Sequence, residues 1–75
     1  MVPYKSKSGK TSGVVAYEIG ADWIDVLFSN YHKYKYTYGS AGKQKIEKMK
    51  LHALAGEGLS TYIAQHNPRF EKILS

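Results

Sequence analysis

Apolar and polar residues alternate with a period of two along the middle of the chain, which is the pattern of β-strands. A first strand follows Thr11, and the turn residues 20–22 separate it from a second strand over 23–28. Because successive side chains of a strand point to opposite faces, the cleaner apolar set of the second strand faces the core and Asp25 points outward. That set is Ile24, Val26 and Phe28.

A third strand over 31–38 combines aromatic and basic residues. Tyrosine and threonine favour strands, and Ser29-Asn30 supplies a hairpin turn in which the asparagine tolerates a positive φ. The alternation places one aromatic set, Tyr34, Tyr36 and Tyr38, on the face opposite Tyr31, Lys33 and Lys35. The first set is either the core face beneath a helix or a row of exposed rings that stack nucleobases. The solvent exposure of these three tyrosines distinguishes the two interpretations.

After Gly39 the apolar residues recur at helical spacing. Ser40 is a suitable N-cap for a helix that begins near Ala41 and ends at Gly56. Its apolar stripe, which should lie on the sheet, consists of Ile46, Met49, Ala53 and Leu54. Its opposite side carries Lys45, Lys48 and His52. A shorter helix over 59–65 ends before Asn67-Pro68.

These elements predict the α+β class, with a three-stranded antiparallel β-meander followed by two helices packed on one face. The predicted order is β-β-β-α-α. Residues 1–10 read as a flexible basic N-terminal arm that carries Lys5, Lys7 and Lys10, and residues 11–75 read as a single domain. The tail that contains Phe70 and Ile73 either packs back on the core or frays.

Composition excludes several kinds of site and of membrane or secretory segment. The 75 residues include no cysteine, which excludes disulfides, thiolate metal sites and a cysteine nucleophile. No apolar run approaches the roughly 18 residues of a membrane span, and the lysines of residues 1–10 are not followed by the apolar segment of a secretory signal. We therefore expect a cytoplasmic protein with no membrane partner.

Charge and aromatic content point towards a polyanion. Eleven Lys and Arg residues oppose six Asp and Glu residues, which gives a formal net charge of +5, and seven residues are tyrosine. Excess positive charge favours association with phosphate polymers through counterion release. A net charge of this size also serves simply to keep a small domain soluble, so charge alone leaves both interpretations open.

The sequence offers little for catalysis. His32, His52 and His66 lack the spacing of metal ligands. Asp22 and Asp25 are three residues apart, so on a strand they would point to opposite faces. No nucleophile motif or phosphate-binding loop of the right spacing is present. We therefore expect no enzyme activity, no catalytic residues, no metal and no cofactor.

Several segments together resemble the KTSC domain, which is named after the C-terminus of some lysyl-tRNA synthetases and also occurs in small stand-alone proteins of bacteria and phages. The similar segments are residues 34–42, with a central Tyr-x-Tyr, residues 46–50 and residues 55–63, which contain Gly-x-Gly-Leu. The resemblance covers roughly residues 11–70. It implies an RNA-contacting accessory module, because the family includes a domain fused to a synthetase.

We therefore predict a small non-catalytic module that binds nucleic acid, RNA before DNA, through lysine and tyrosine side chains. The predicted contact residues are Tyr31, Lys33, Tyr34, Lys35, Tyr36 and Tyr38. The alternative is a protein-interaction or self-association module, as a homodimer or with another protein, centred on Trp23, Leu27 and Tyr31.

Overall fold

A five-stranded sheet in which every neighbouring pair is antiparallel organises the chain, in a computed structural model that describes residues 1–4 and 13–74. The strands lie in sequence order, so the sheet is a simple meander. They are β1 (Val2–Pro3), β2 (Val14–Ile19), β3 (Trp23–Phe28), β4 (Lys33–Thr37) and β5 (Lys72–Ile73). The helices are α1 (Tyr38–Ala41), α2 (Lys43–Ala55) and α3 (Leu59–His66).

The core lies between one face of the sheet and the two longer helices. In β3, Ile24 and Val26 are fully buried, as the alternation predicts. Helix α2 contributes Ile46, Met49 and Ala53 to the same cluster. The predicted fourth member of its stripe, Leu54, is exposed instead, because it follows Ala53 directly and therefore projects about 100° further around the helix.

Strand β2 contains an irregularity that shifts its alternation. Val14 pairs with Phe28, but Ala16 pairs with Leu27, so Val15 is an extra residue opposite the partner strand. Such a β-bulge leaves one residue unpaired and moves the following side chains by one position. Val14 and Tyr17 therefore both enter the core although an odd number of steps separates them.

The β3–β4 hairpin has the predicted position and an unpredicted geometry. Tyr31, rather than Asn30, adopts the left-handed conformation, with a φ of 67°. The Asn30 side chain instead accepts a hydrogen bond of 3.1 Å from the backbone N–H of His32. Asparagine thus stabilises the turn as an acceptor, which is its other common role in turns.

The change from strand to helix occurs earlier than predicted. Thr37 is the N-cap of α1, and Thr37 and Ser40 form a reciprocal capping box. Ser40 is therefore the third helical residue and not the cap. Tyr38, predicted as the end of the third strand, begins α1, and the break at Gly42, with a φ of 92°, separates α1 from α2.

The sheet has two more strands than predicted, both at its edges. Val2–Pro3 pairs with β2, and Tyr4 packs against the core, so residues 2–4 differ from the predicted flexible arm. Lys5, Lys7 and Lys10 lie outside the described residues. At the other edge Lys72–Ile73 pairs with β4, so the tail packs on the sheet. The α+β class is confirmed, with this larger sheet and a short additional helix.

Gly20 packs directly against the indole ring of Trp23 on the face of the sheet that no described helix covers, the helix-free face. A Cβ atom on Gly20 would lie 2.0 Å from the ring, whereas one on Gly39 would meet nothing closer than 3.7 Å. We expect Gly20→Ala to displace the ring and to lower the free energy of unfolding by about 1–3 kcal/mol. Thermal denaturation followed by the fluorescence of Trp23, the single tryptophan, measures this change. The control Gly39→Ala should leave the midpoint unchanged or higher, and equal midpoints for the two variants would contradict the contact.

Candidate nucleic-acid interface

The structure separates the six residues predicted to contact nucleic acid. In β4, Tyr34 and Tyr36 share the helix-covered face of the sheet with Val26 and Ile24, with which they pair in register. Lys33 and Lys35 pair with Leu27 and Asp25 and lie on the helix-free face. Tyr31 is in the hairpin turn, 79% exposed. The predicted rings and lysines therefore do not form one shared surface.

Lys35 is held by two neighbours on the helix-free face. Its ammonium lies 4.0 Å from the centroid of a Trp23 ring and 3.8 Å from Oδ1 of Asp25. The first contact is a cation–π interaction, and the second is an ion pair too long for a hydrogen bond. A phosphate that engaged Lys35 would have to compete with both contacts.

Asp25 is the one buried acidic residue in the described part of the chain. It lies on the helix-free face as predicted, yet it is only 6% exposed, and its Oδ1 atom has no hydrogen-bond partner. Burial raises the pKa of the carboxyl, and the nearby Lys35 ammonium opposes that rise. This carboxylate faces the strip of positive charge that the sequence predicts on β4 and reduces its field.

Tyr38 is engaged on the side of α2. Its hydroxyl donates a hydrogen bond of 2.7 Å to Oε2 of Glu47, whose carboxylate also lies 2.9 Å from the Lys50 ammonium. The hydrogen bond raises the pKa of the tyrosine hydroxyl and lowers the pKa of the Glu47 carboxyl. Lys50 in turn donates a hydrogen bond of 2.8 Å to the backbone oxygen of Ala21. Tyr38 therefore links α1 to α2 rather than extending a row of rings along the sheet.

A second combination of rings and lysines lies between the two longer helices. Tyr62 is stacked on His66, with 4.3 Å between the ring centroids, and the centroid of the His52 ring lies 5.2 Å from that of Tyr62. We call the cavity beside this row the helical groove; it has a volume of about 440 Å³. Its lining residues are Gln44, Lys45, Lys48, His52, Tyr62 and His66.

The two lysines of the helical groove are available to a ligand. Within residues 1–4 and 13–74, no carboxylate lies within ion-pair distance of Lys45 or Lys48. The groove also has no acidic residue among the described residues that line it. Lys45 and Lys48 therefore present positive charge that no neighbouring side chain neutralises, in contrast to Lys35.

His52 is oriented by the turn between α2 and α3. Its Nδ1 atom lies 2.8 Å from the backbone oxygen of Glu57. A carbonyl oxygen only accepts, so Nδ1 carries the proton and Nε2 is an acceptor in the neutral ring. The ring is thus fixed in the groove with one nitrogen uncommitted.

The sequence contained part of the signal for this groove. The helical spacing of Lys45, Lys48 and His52 predicted a basic patch on the outer side of α2, and the structure confirms their common side. Tyr62 and His66 are four residues apart and so share a face of α3. That α3 would place this face beside the basic patch depends on the turn at Gly56, which has a φ of 67°.

Other classes of site are not found among the residues that the structure describes. They contain no group of three histidine or acidic side chains positioned to hold a metal ion. None of their helices has both the length and the apolar character needed to cross a bilayer. Comparison of the chain with protein-family models, curated proteins and solved structures finds no match.

The buried Asp25 carboxyl predicts a pH dependence of stability. Because burial raises its pKa in the folded state above the ordinary value, the folded protein retains this proton over a pH range in which the unfolded chain has lost it. The contribution of Asp25 to stability is therefore greatest at low pH and falls as the pH rises through the folded-state pKa. Urea denaturation of the wild type and of Asp25→Asn at pH values from about 3.5 to 7 measures this contribution.

We expect Asp25→Asn to gain stability relative to the wild type as the pH rises across this range. A difference between the two proteins that stays constant with pH, or that changes in the opposite direction, would contradict a raised pKa of the buried Asp25 carboxyl. Asp22→Asn is the matched control, since Asp22 is exposed.

Proposed function

We propose that this domain is a non-catalytic nucleic-acid-binding module, for RNA before DNA, and that the helical groove is its contact surface. The observation that carries the proposal is the row of three rings, His52, Tyr62 and His66, beside two lysines that no described carboxylate pairs. Rings that stack bases, combined with cations that follow the backbone, are the features by which proteins bind single strands.

The distribution of charge supports this surface over β4. Eight of the eleven basic residues and all six acidic residues lie in the described part of the chain, so that part has a net charge of +2. Four of the eight basic residues belong to α2. Lys35 of β4 is paired with Asp25 and Lys50 of α2 with Glu47. Among the described residues, α2 therefore carries three lysines without an ion pair, whereas β4 carries one, Lys33, and β5 carries one, Lys72.

RNA is placed before DNA for two reasons. Sequence-specific RNA recognition mainly uses unpaired bases stacked on aromatic or histidine rings, and the groove offers rings rather than a helix shaped for the major groove of DNA. The resemblance to the KTSC domain also implies contact with RNA. The resemblance remains an interpretation of the sequence, and the proposal depends on the groove.

A second candidate function, self-association, has its own observation. Leu51 and Leu54 are exposed on α2, and Leu54 lines a shallow cavity together with Val2 and Tyr17. Exposed leucines that adjoin a sheet edge are features of interfaces between proteins. The centre proposed from sequence is less suitable, since Trp23 and Leu27 are half-buried. Sizing chromatography with and without RNA, at low and high salt, separates a dimer from an RNA complex.

Replacing the lysines of the groove should weaken RNA binding and its dependence on salt. For Lys45→Gln/Lys48→Gln we expect the slope of log affinity against log salt concentration to become shallower by about 1.4, since each phosphate contact on a single strand contributes about 0.7. Fluorescence anisotropy with a labelled single-stranded RNA of mixed sequence, over a series of salt concentrations, measures this slope.

The matched control for the lysines is Lys33→Gln/Lys72→Gln, which removes the same charge from the other face of the sheet. Its slope should stay close to that of the wild type. Equal losses in the two double variants would indicate attraction by net charge alone, and no detectable binding at low salt would refute the function.

The ring at the centre of the row should carry stacking energy. For Tyr62→Leu, which retains an apolar body at this half-buried position, we expect the Kd for the same RNA to rise about 5- to 150-fold, corresponding to about 1–3 kcal/mol per stacked base. Tyr31→Leu, in the exposed turn, is the control and should bind like the wild type. If Tyr31→Leu raised the Kd more than Tyr62→Leu, the contact surface would lie at the β3–β4 hairpin and not in the helical groove.

A further inference from the structure

A second cavity lies on the helix-covered side of the sheet, where β3 and β4 meet the end of α3 and the segment that follows it. We call it the aromatic cavity; its volume is about 440 Å³, within the range of small-molecule sites. Six of its lining residues matter here: Phe28, Tyr34, Tyr36, Ile63, Arg69 and Phe70. The Tyr-x-Tyr pair of β4 therefore forms one wall of a cavity.

The hydroxyl of Tyr36 lacks a protein partner. Tyr36 is 2% exposed and lines the cavity, and no residue in the described part of the chain forms a hydrogen bond with its hydroxyl. Burial raises the pKa of this hydroxyl to about 12, so it keeps its proton at neutral pH and remains a donor. Asp25 Oδ1 is the one fully buried polar side-chain atom without a partner in the described part of the chain, so the Tyr36 hydroxyl reaches the open cavity, where it can donate to an acceptor of a ligand.

The rings of the cavity leave one surface for stacking. Phe70 contacts Tyr34, with 4.7 Å between the ring centroids, and Phe28 contacts the same tyrosine at 5.5 Å. Phe70 nevertheless remains 45% exposed. A flat heteroaromatic group can therefore extend the stack on Phe70 in the offset arrangement that aromatic rings prefer.

Arg69 supplies positive charge to the same cavity. Its backbone oxygen accepts a hydrogen bond of 2.8 Å from the Ser40 hydroxyl, which anchors the segment. Its guanidinium has no ion-pair partner within the described ranges, and the cavity has no acidic residue among the described residues that line it. The cavity thus combines a stacking surface, one hydroxyl donor and a planar cation without an ion pair, which suits an aromatic group that carries an anion.

We propose that the aromatic cavity binds one nucleotide unit, with the base stacked on Phe70, a base acceptor bonded to the Tyr36 hydroxyl, and the phosphate at Arg69. The unit is either a free nucleoside monophosphate or an unstacked nucleotide of an RNA chain. The second source rests on the proposed function, because His66 of the helical groove is followed directly by Asn67, which lines the aromatic cavity. An RNA strand in the groove thus has a base-sized cavity at its end.

The test uses the full chain and two kinds of probe. Calorimetry with AMP, GMP, CMP, UMP and the corresponding nucleosides measures the free unit, and anisotropy with labelled single-stranded RNA measures the chain. The variants are Tyr36→Phe, which removes only the hydroxyl, and Arg69→Gln. Their controls are Tyr31→Phe, in the exposed turn, and Lys72→Gln, on the edge strand.

We expect at least one monophosphate to bind saturably, more tightly than its nucleoside, or the RNA to bind with the same dependence on Tyr36 and Arg69. Tyr36→Phe should weaken that binding about three- to tenfold, as for one lost hydrogen bond, while its melting temperature stays equal or rises because no protein partner is lost. Arg69→Gln should remove most of the difference between monophosphate and nucleoside. The two controls should bind like the wild type.

The two proposals fail separately. If RNA binds and depends on Lys45 and Lys48, but Tyr36→Phe and Arg69→Gln bind every probe like the wild type, the aromatic cavity is not a nucleotide site and the proposed function stands. If a monophosphate binds through Tyr36 and Arg69 while RNA does not bind, the cavity proposal stands and the proposed function fails. If Tyr36→Phe does not fold, the comparison of Arg69→Gln with Lys72→Gln still tests the cavity, because Arg69 is exposed.

Discussion

The alternation of side chains in β4 determines which face of the sheet presents its lysines and which face presents its tyrosines. A strand sends successive side chains to opposite faces of its sheet, and here one face is covered by helices. Tyr36 must lie beneath α2 because its strand neighbour Ile24 is the fully buried centre of the core. Lys35 must then lie on the helix-free face, beside Trp23 and Asp25. The basic and aromatic residues of this strand are therefore separated by the thickness of the sheet.

This separation gives the two sides of the domain different electrostatic character. On the helix-free face a buried carboxylate accompanies the central lysine. On the helical side, Lys45 and Lys48 stand beside a row of rings and have no described carboxylate as a partner. A lysine that forms an ion pair must break it before it can bind a phosphate fully. Lysines of equal formal charge therefore contribute differently to the affinity for a phosphate. The number of lysines is thus a poorer guide to a binding surface than their partners.

Much of the fold could be predicted from local sequence signals, and the remainder depends on contacts between distant residues. The pattern of Ile24, Val26 and Phe28 fixed the inward face of β3, and Gly56 marked the end of α2. The edge strands β1 and β5 have two residues each, too short for any periodicity, and exist because β2 and β4 offer them hydrogen-bonding partners. The capping residue was misjudged by three positions because Thr37 and Ser40 both have a hydroxyl suited to the role.

The same distinction applies to the candidate site. The helical spacing of Lys45, Lys48 and His52 was visible in the sequence, but the position of Tyr62 against His52 is set by tertiary packing. Nor did the sequence indicate that Tyr36 would line a cavity together with Phe70 and Arg69, since that arrangement depends on how the chain after α3 packs. Sequence reasoning therefore indicated the basic side of α2, whereas the separation of the lysines and tyrosines of β4 onto opposite faces became visible only in the fold.

Thr37 belongs to two elements at once. It pairs with Trp23 as the last residue of β4, its side chain caps α1, and its hydroxyl lies 3.4 Å from Glu71 just before β5. No linker intervenes between sheet and helix at this point, so the position of α1 is tied directly to the strand that carries Tyr36. A site built on such a junction is preorganised, and a ligand that fits it gains affinity because little conformational freedom is lost when it binds.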